Sequence, residues 1–160
     1  LGEFDGKKLV SGDAEDLKLE KLDDEPAGKK LNKKDTKSLC KWLKESLGDR
    51  VSEVEEGERL IDSPVCVVGG DAMGGPSARR MMKMMQGDDS SLPAPSVKLQ
   101  INLRHSIIRG LSKLRDSNAD TASLVAHQLL DNALASADLL EDPREMISRS
   151  FQALEKLTAT

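Results

Sequence analysis

Between Leu124 and Ala137, apolar side chains cover more of a helix than one packed side can hide. Placed on a helical wheel, Val125, Ala126, Leu129, Leu130, Ala133, Leu134 and Ala137 span an arc of roughly 180°, where a helix packed on one side needs roughly 100°. The excess implies two contacted surfaces, one toward the chain's own domain and one toward a partner. Ala126, Ala133 and Ala137 lie within the arc and let another helix come close.

The next segment strengthens the pattern. Asp142-Pro143-Arg144-Glu145 starts a helix with an acidic cap, proline at the first helical position, and glutamate placed to bond back to the cap. That helix runs to about Leu157. Met146, Ile147, Phe151, Ala153, Leu154 and Leu157 share one side, with Arg149, Gln152, Glu155 and Lys156 opposite. Ile147, Ser150, Leu154 and Leu157 also follow the spacing of a short helix–helix seam. Two such helices per chain, doubled by a two-fold axis, make a four-helix bundle. The interface set is then Leu129, Leu130, Ala133, Leu134, Ala137, Ile147, Phe151, Leu154 and Leu157. The competing reading closes a monomeric core with the same two helices, and periodicity alone does not separate them.

Upstream the pattern is mixed. Residues 1–38 hold nine Lys and ten Asp or Glu, too charged over most of their length to offset ordering entropy by apolar burial. They read as a linker, with residues 4–10 as the last strand of a preceding domain; the division falls at residues 1–34 and 35–160. A helix is expected from Thr36 to Leu47, capped by Asp35, with Leu39, Leu43 and Leu47 on one face and Gly48 ending it. Val51–Glu55 alternates as a half-buried strand. Pro64–Val68 is a continuous β-prone run and reads as more central; Arg59-Leu60-Ile61 is a candidate third strand. Asn102 is placed to cap a helix over residues 103–116, and Asp120 to cap the next. The fold class is therefore α+β: a small three-stranded sheet with helices, ending in a helical bundle.

Aromatic residues are nearly absent, so the core must be built from Leu, Ile, Val, Met and Ala. Formal net charge is −4, which argues against nucleic acid as a partner, and no apolar run is long enough to span a membrane. Cys40 and Cys66 fit neither a disulfide framework nor a zinc pattern and read as buried thiols. The glycine-rich run at residues 69–75 lacks the ending of a phosphate loop, and His105 and His127 have no ligand-spaced companion, so no metal site is expected. No catalytic constellation stands out.

Residues 78–86 segregate completely: Ala78, Met81, Met82, Met84 and Met85 on one side, Arg79, Arg80, Lys83 and Gln86 on the other. Methionine suits surfaces that accept many partners. Client binding, packing on the core and membrane contact are the three readings of this segment.

Taken in order, these segments resemble the C-terminal domain of heat-shock protein 90 chaperones. Glu3-Phe4-Asp5-Gly6-Lys7-Lys8-Leu9-Val10-Ser11 resembles the end of their middle domain. Leu39-Cys40-Lys41-Trp42-Leu43-Lys44 looks like the first C-terminal helix, and Ser63-Pro64-Val65-Cys66-Val67-Val68 like one of its strands. Ile101-Asn102-Leu103-Arg104-His105-Ser106-Ile107-Ile108 and Leu140-Glu141-Asp142-Pro143 are similar to the motifs that open later helices, although the family usually has Pro where Leu103 stands. The resemblance implies a homodimerisation domain of an ATP-dependent, stress-response chaperone, with Met81, Met82, Met84 and Met85 in the region that contacts unfolded client proteins. It places ATP and Mg in domains outside this chain, so neither an enzyme activity nor a cofactor is expected within it. The ending Leu157-Thr158-Ala159-Thr160 shows no acidic tail for tetratricopeptide co-chaperones. That is similar to the mitochondrial or bacterial branch, implying the mitochondrial matrix, with the cytoplasm as the alternative.

Overall fold

A computed structural model describes residues 3–4, 7–8, 29–69, 84–85, 97–140 and 142–159. The protein is α+β. Two short antiparallel strands, β1 (Glu3–Phe4) and β2 (Lys7–Lys8), precede helix α1 (Lys33–Leu47). The sheet follows: β3 (Val51–Glu56), β4 (Val65–Val68) and β5 (Val97–Ile101). Three helices close the chain: α2 (Ser106–Ser117), α3 (Ala119–Ser136) and α4 (Pro143–Thr158).

Helix α1 begins a turn-fraction earlier than Asp35 suggested. Asn32 is the cap: its Oδ1 accepts from the Asp35 backbone N–H at 2.9 Å, and its Nδ2 donates to Asp35 Oδ2 at 2.8 Å. Asp35 thus stands at the third helical position and completes a reciprocal pair. At the far end Gly48 takes φ 61°, a left-handed value that glycine reaches without strain. Lys44 Nζ closes the turn by donating to the carbonyls of Gly48 (3.0 Å) and Val51 (2.5 Å).

The sheet order is β3-β5-β4, with β3 parallel and β4 antiparallel to β5. The middle strand is therefore Val97–Ile101, not the Val65–Val68 run, and Arg59-Leu60-Ile61 lies outside any strand. Strand β5 alternates cleanly, burying Val97, Leu99 and Ile101 while Lys98 and Gln100 stay half-buried.

Asn102, which follows β5, does not cap a helix. It is buried, and its Nδ2 faces the carbonyls of Leu60 (3.2 Å), Ile61 (3.0 Å) and Ser63 (3.3 Å), while Oδ1 accepts from the Arg104 N–H at 3.0 Å. It pins the β3–β4 connection to the sheet's end. The cap of α2 is His105, whose Nδ1 accepts from the Ile107 N–H at 3.1 Å. Asn118, not Asp120, caps α3, accepting from the Thr121 N–H at 3.0 Å. Asp142 caps α4 as expected, accepting from the Arg144 N–H at 2.9 Å.

Leu39, Leu43, Leu99, Ile101, Ile108, Leu111 and Leu130 are the largest fully buried apolar side chains in one continuous core between the sheet and helices α1–α3. It is aliphatic, as the composition required; Trp42 packs against it from the edge. Cys40 and Cys66 are only half-buried, yet burial is the main cause that pushes both thiols up from their ordinary pKa.

Candidate partner-binding face

The nine residues expected at a two-fold interface divide sharply. Leu129, Leu130, Ala133 and Leu134 on α3 are 0–7 % exposed within a single chain, and Ala137 is half-buried. The broad apolar arc of α3 is therefore covered by the chain's own α1, sheet, α2 and α4. Its alanines admit neighbours of the same chain: Ala122 and Ala126 are fully buried.

Helix α4 is the opposite case. It has no fully buried residue. Ile147, Phe151, Leu154 and Leu157 are 46 %, 60 %, 52 % and 78 % exposed. Their spacing puts them on one stripe of about 120°. Exposed apolar side chains scattered singly are ordinary; four on one stripe of one helix form a patch.

The other side of α4 is anchored by charge. Asp131 on α3 is completely buried, and two guanidinium groups hold its carboxylate. Arg50 Nη2, from the turn after α1, donates to Oδ1 at 2.5 Å; Arg149 Nε, from α4, donates to Oδ2 at 2.6 Å. Arg149 also reaches Glu145 Oε2 at 3.3 Å, so Glu145 is occupied there and not at the cap. Burial works against the charge of Arg149, but Asp131 and Glu145 outweigh it and hold its pKa above the ordinary value. His127 lies one turn before Asp131, with Nδ1 3.4 Å from Arg50 Nη1. Burial, then Arg50 and Arg149, push the imidazole pKa down, with Asp131 and a hydrogen bond to the Ser46 backbone opposing them in part.

Sequence reasoning missed this cluster. Asp131 falls about 60° beyond the apolar arc of α3 and reads as a solvated carboxylate. Arg149 reads as part of a solvated face. Only the fold brings Arg50, Asp131 and Arg149 together. A single cue was available: Asp131 follows His127 by one turn on a helix otherwise poor in charge.

Among the predicted client-contact residues, Met84 and Met85 have helical backbone and are 88 % and 77 % exposed; Met81 and Met82 lie outside the described residues. Among the described residues, no group of three or more His, Cys, Asp or Glu could hold a metal ion. No described helix is long and apolar enough to cross a membrane.

The sequence model of the Hsp90 protein family matches residues 1–159, from the short β1–β2 pair to the end of the last helix. The chain belongs to the Hsp90 family. It is 41 % identical over 157 residues to the chaperone protein HtpG of Desulfitobacterium hafniense, covering 98 % of the chain and 25 % of that relative. It is 35 % identical over 161 residues to the mitochondrial heat shock protein 75 kDa of Bos taurus, covering 98 % of the chain and 23 % of that relative. Identity to the HtpG of Desulfotalea psychrophila is 35 % over 161 residues. The chain thus spans about a quarter of the length of the chaperones it matches, and it sits in the bacterial and mitochondrial branch of the Hsp90 family.

Proposed function

We propose that this Hsp90-family chain is the segment through which two copies of the chaperone hold each other, with α4 supplying the contact. The observation that carries the reading is the stripe Ile147, Phe151, Leu154 and Leu157, four large apolar residues 46–78 % exposed on one side of one helix, whereas Ile107, at 44 %, stands singly on α2. A two-fold axis would lay one stripe on the other, the simplest closed solution for a self-complementary patch. The buried α3 residues would then support α4 from behind without touching the partner.

In the intact chaperone this tie is mechanical. Joining two arms makes their encounter effectively intramolecular and raises the local concentration of one for the other. ATP and Mg would act in segments beyond the stretch described here, and this chain would carry no catalytic step. Met84 and Met85, exposed on a helical segment, support contact with unfolded clients in the same assembly. Similarity to both HtpG and a mitochondrial relative leaves the mitochondrial matrix and the cytoplasm as compartments, which fractionation of the intact protein distinguishes.

The second reading is a monomeric adaptor that takes a partner helix in place of a second copy. Solution mass against concentration separates the two. Twice the 17.4 kDa chain mass supports the homodimer. A single-chain mass at every concentration, together with binding of an amphipathic peptide, supports the adaptor.

A further inference from the structure

A basic groove lies away from the α4 stripe, between the extended segment at residues 29–32 and helix α2. The two walls are joined where the Leu31 N–H donates to the Leu103 carbonyl at 3.3 Å. The groove has a volume of about 700 Å³. Lys29, Lys30, Arg109, Lys113 and Arg115 line it, against two carboxylates, Asp35 and Asp116. This is a local positive excess on a chain whose formal net charge is −4.

Most of that charge is not answered within the molecule. Lys30 pairs with Glu56, and Asp35 is engaged by its Asn32 cap. Arg115 has only Asp116, at 3.6 Å. Lys29, Arg109 and Lys113 have no ion-pair partner among the described residues; the Arg109 Nε–H is buried without an acceptor there, and the Arg115 Nε–H faces Asp116 at a distance too long for a hydrogen bond. Both guanidinium groups are half-buried, so an external anion meeting their accessible nitrogens would offset charge that the molecule itself leaves largely unanswered.

We propose that this groove binds an acidic, extended peptide segment of a partner protein. The spacing matches: Arg109 and Lys113 are four residues apart on α2, a rise of about 6 Å. Same-side residues of an extended peptide recur about every 6.6 Å. Alternate Asp or Glu side chains would therefore meet successive cations. The two groove carboxylates favour a peptide over a compact phosphate, because backbone N–H groups can donate to Asp35 and Asp116, whereas a phosphate brings only further negative charge.

The test is fluorescence anisotropy of the whole chain against a fluorescein-labelled hexaglutamate peptide, with hexalysine as the negative probe. Binding of hexaglutamate alone, weakened by added salt, is expected. The double substitution Lys29→Glu and Lys113→Glu should weaken it about tenfold, a loss of about 1.4 kcal/mol. Lys41→Glu, on exposed α1 surface outside the groove, should leave it unchanged. Lys113→Gln, checked for native circular dichroism, provides a milder variant and should give a smaller loss in the same direction. No hexaglutamate binding, or equal loss in Lys41→Glu and the double variant, overturns the proposal. Inorganic triphosphate binding more tightly than the peptide, with the same sensitivity to the groove variants, overturns the peptide assignment in favour of a phosphate site.

Discussion

Replacing Leu154 with Asp should separate two copies of the chain without unfolding either. Complete burial of a large aliphatic or aromatic side chain stabilises by about 1.5–3 kcal/mol. Ile147, Phe151, Leu154 and Leu157 are 46–78 % exposed in one chain, so each has roughly 1–2 kcal/mol still to gain. Eight such side chains in a two-fold contact offer about 10 kcal/mol, to be set against an association cost of about 4–15 kcal/mol. The two terms are of similar size, so self-association is sensitive to small losses. Leu154→Asp removes the apolar gain on both copies and obliges two carboxylates to give up water, about 4–6 kcal/mol together. The dissociation constant should rise by about a thousandfold or more. The fold should lose at most about 1 kcal/mol, because the side chain is half-exposed in the single chain. Leu130→Asp is the contrast. Leu130 is 0 % exposed in the core, so a carboxylate there should unfold the chain outright. Sedimentation equilibrium reads the mass and urea unfolding, followed by the lone Trp42, reads the stability. If Leu154→Asp retains the dimer mass at concentrations where the unaltered chain is dimeric, the stripe is not the interface.

Three further outcomes follow from the geometry. Asp131→Asn should lower stability by about 2–4 kcal/mol, seen as a fall in the urea midpoint at constant slope; this is below the usual cost of breaking a fully buried pair because Arg50 and Arg149 keep 34 % and 21 % of their side-chain surface in solvent. Asn102→Ala should cost about 2–3 kcal/mol by leaving the carbonyls of Leu60, Ile61 and Ser63 short of a donor, and amide exchange should rise first in residues 60–63. His127 has a folded pKa below its unfolded value, so the unfolded chain binds the proton more readily. Its contribution to stability is complete above the unfolded pKa of about 6.5 and is lost as pH falls through the folded pKa. His127→Gln should flatten that part of the urea-midpoint profile, and an unchanged profile would exclude the imidazole as its source.

Much of the architecture was legible because the signals were local. The Leu39, Leu43, Leu47 stripe, the left-handed Gly48 and the Asp142-Pro143 start each need only a few neighbouring residues, and each stands where the periodicity put it. Errors arose where two residues compete for one role. Asn32 and Asp35 both suit a cap, and tertiary burial of Leu39 does not distinguish them; reciprocal bonding resolves it by using both. Strand β5 was missed because Val97–Ile101 follows a loop and runs into a helix-start motif, and its central place depends on pairing with two strands distant in sequence. Asn102 was misassigned for the same reason. Its partners are about forty residues upstream, and no local pattern announces them.

The nine residues expected at an interface divide between buried α3 and exposed α4, and the division is informative. A wide apolar arc on α3 says that two surfaces cover the helix, but not that the second belongs to another molecule; here α4 of the same chain serves. The proposed partner surface is instead the helix that covers and is not itself covered. Helix α4 turns Ile147, Phe151, Leu154 and Leu157 outward and keeps half-buried Met146, Arg149, Ser150 and Ala153 toward its own domain, while Lys156 Nζ donates to Thr121 Oγ1 at 3.2 Å. With Met146 the one large apolar residue in that set, hydrophobic adhesion is limited, and the buried Asp131 carboxylate shared by Arg50 and Arg149 adds a directional anchor. Under the proposed self-association, a charge cluster beneath an apolar stripe leaves the aliphatic residues of α4 free to face a second copy. It also makes the two events interdependent. Loosening the Asp131 clamp should let α4 tilt and weaken self-association even though no clamp residue touches the partner, so Asp131→Asn should raise the dissociation constant while the stripe itself is intact. Unchanged self-association in a folded Asp131→Asn chain would show that α4 is oriented by its α3 packing alone.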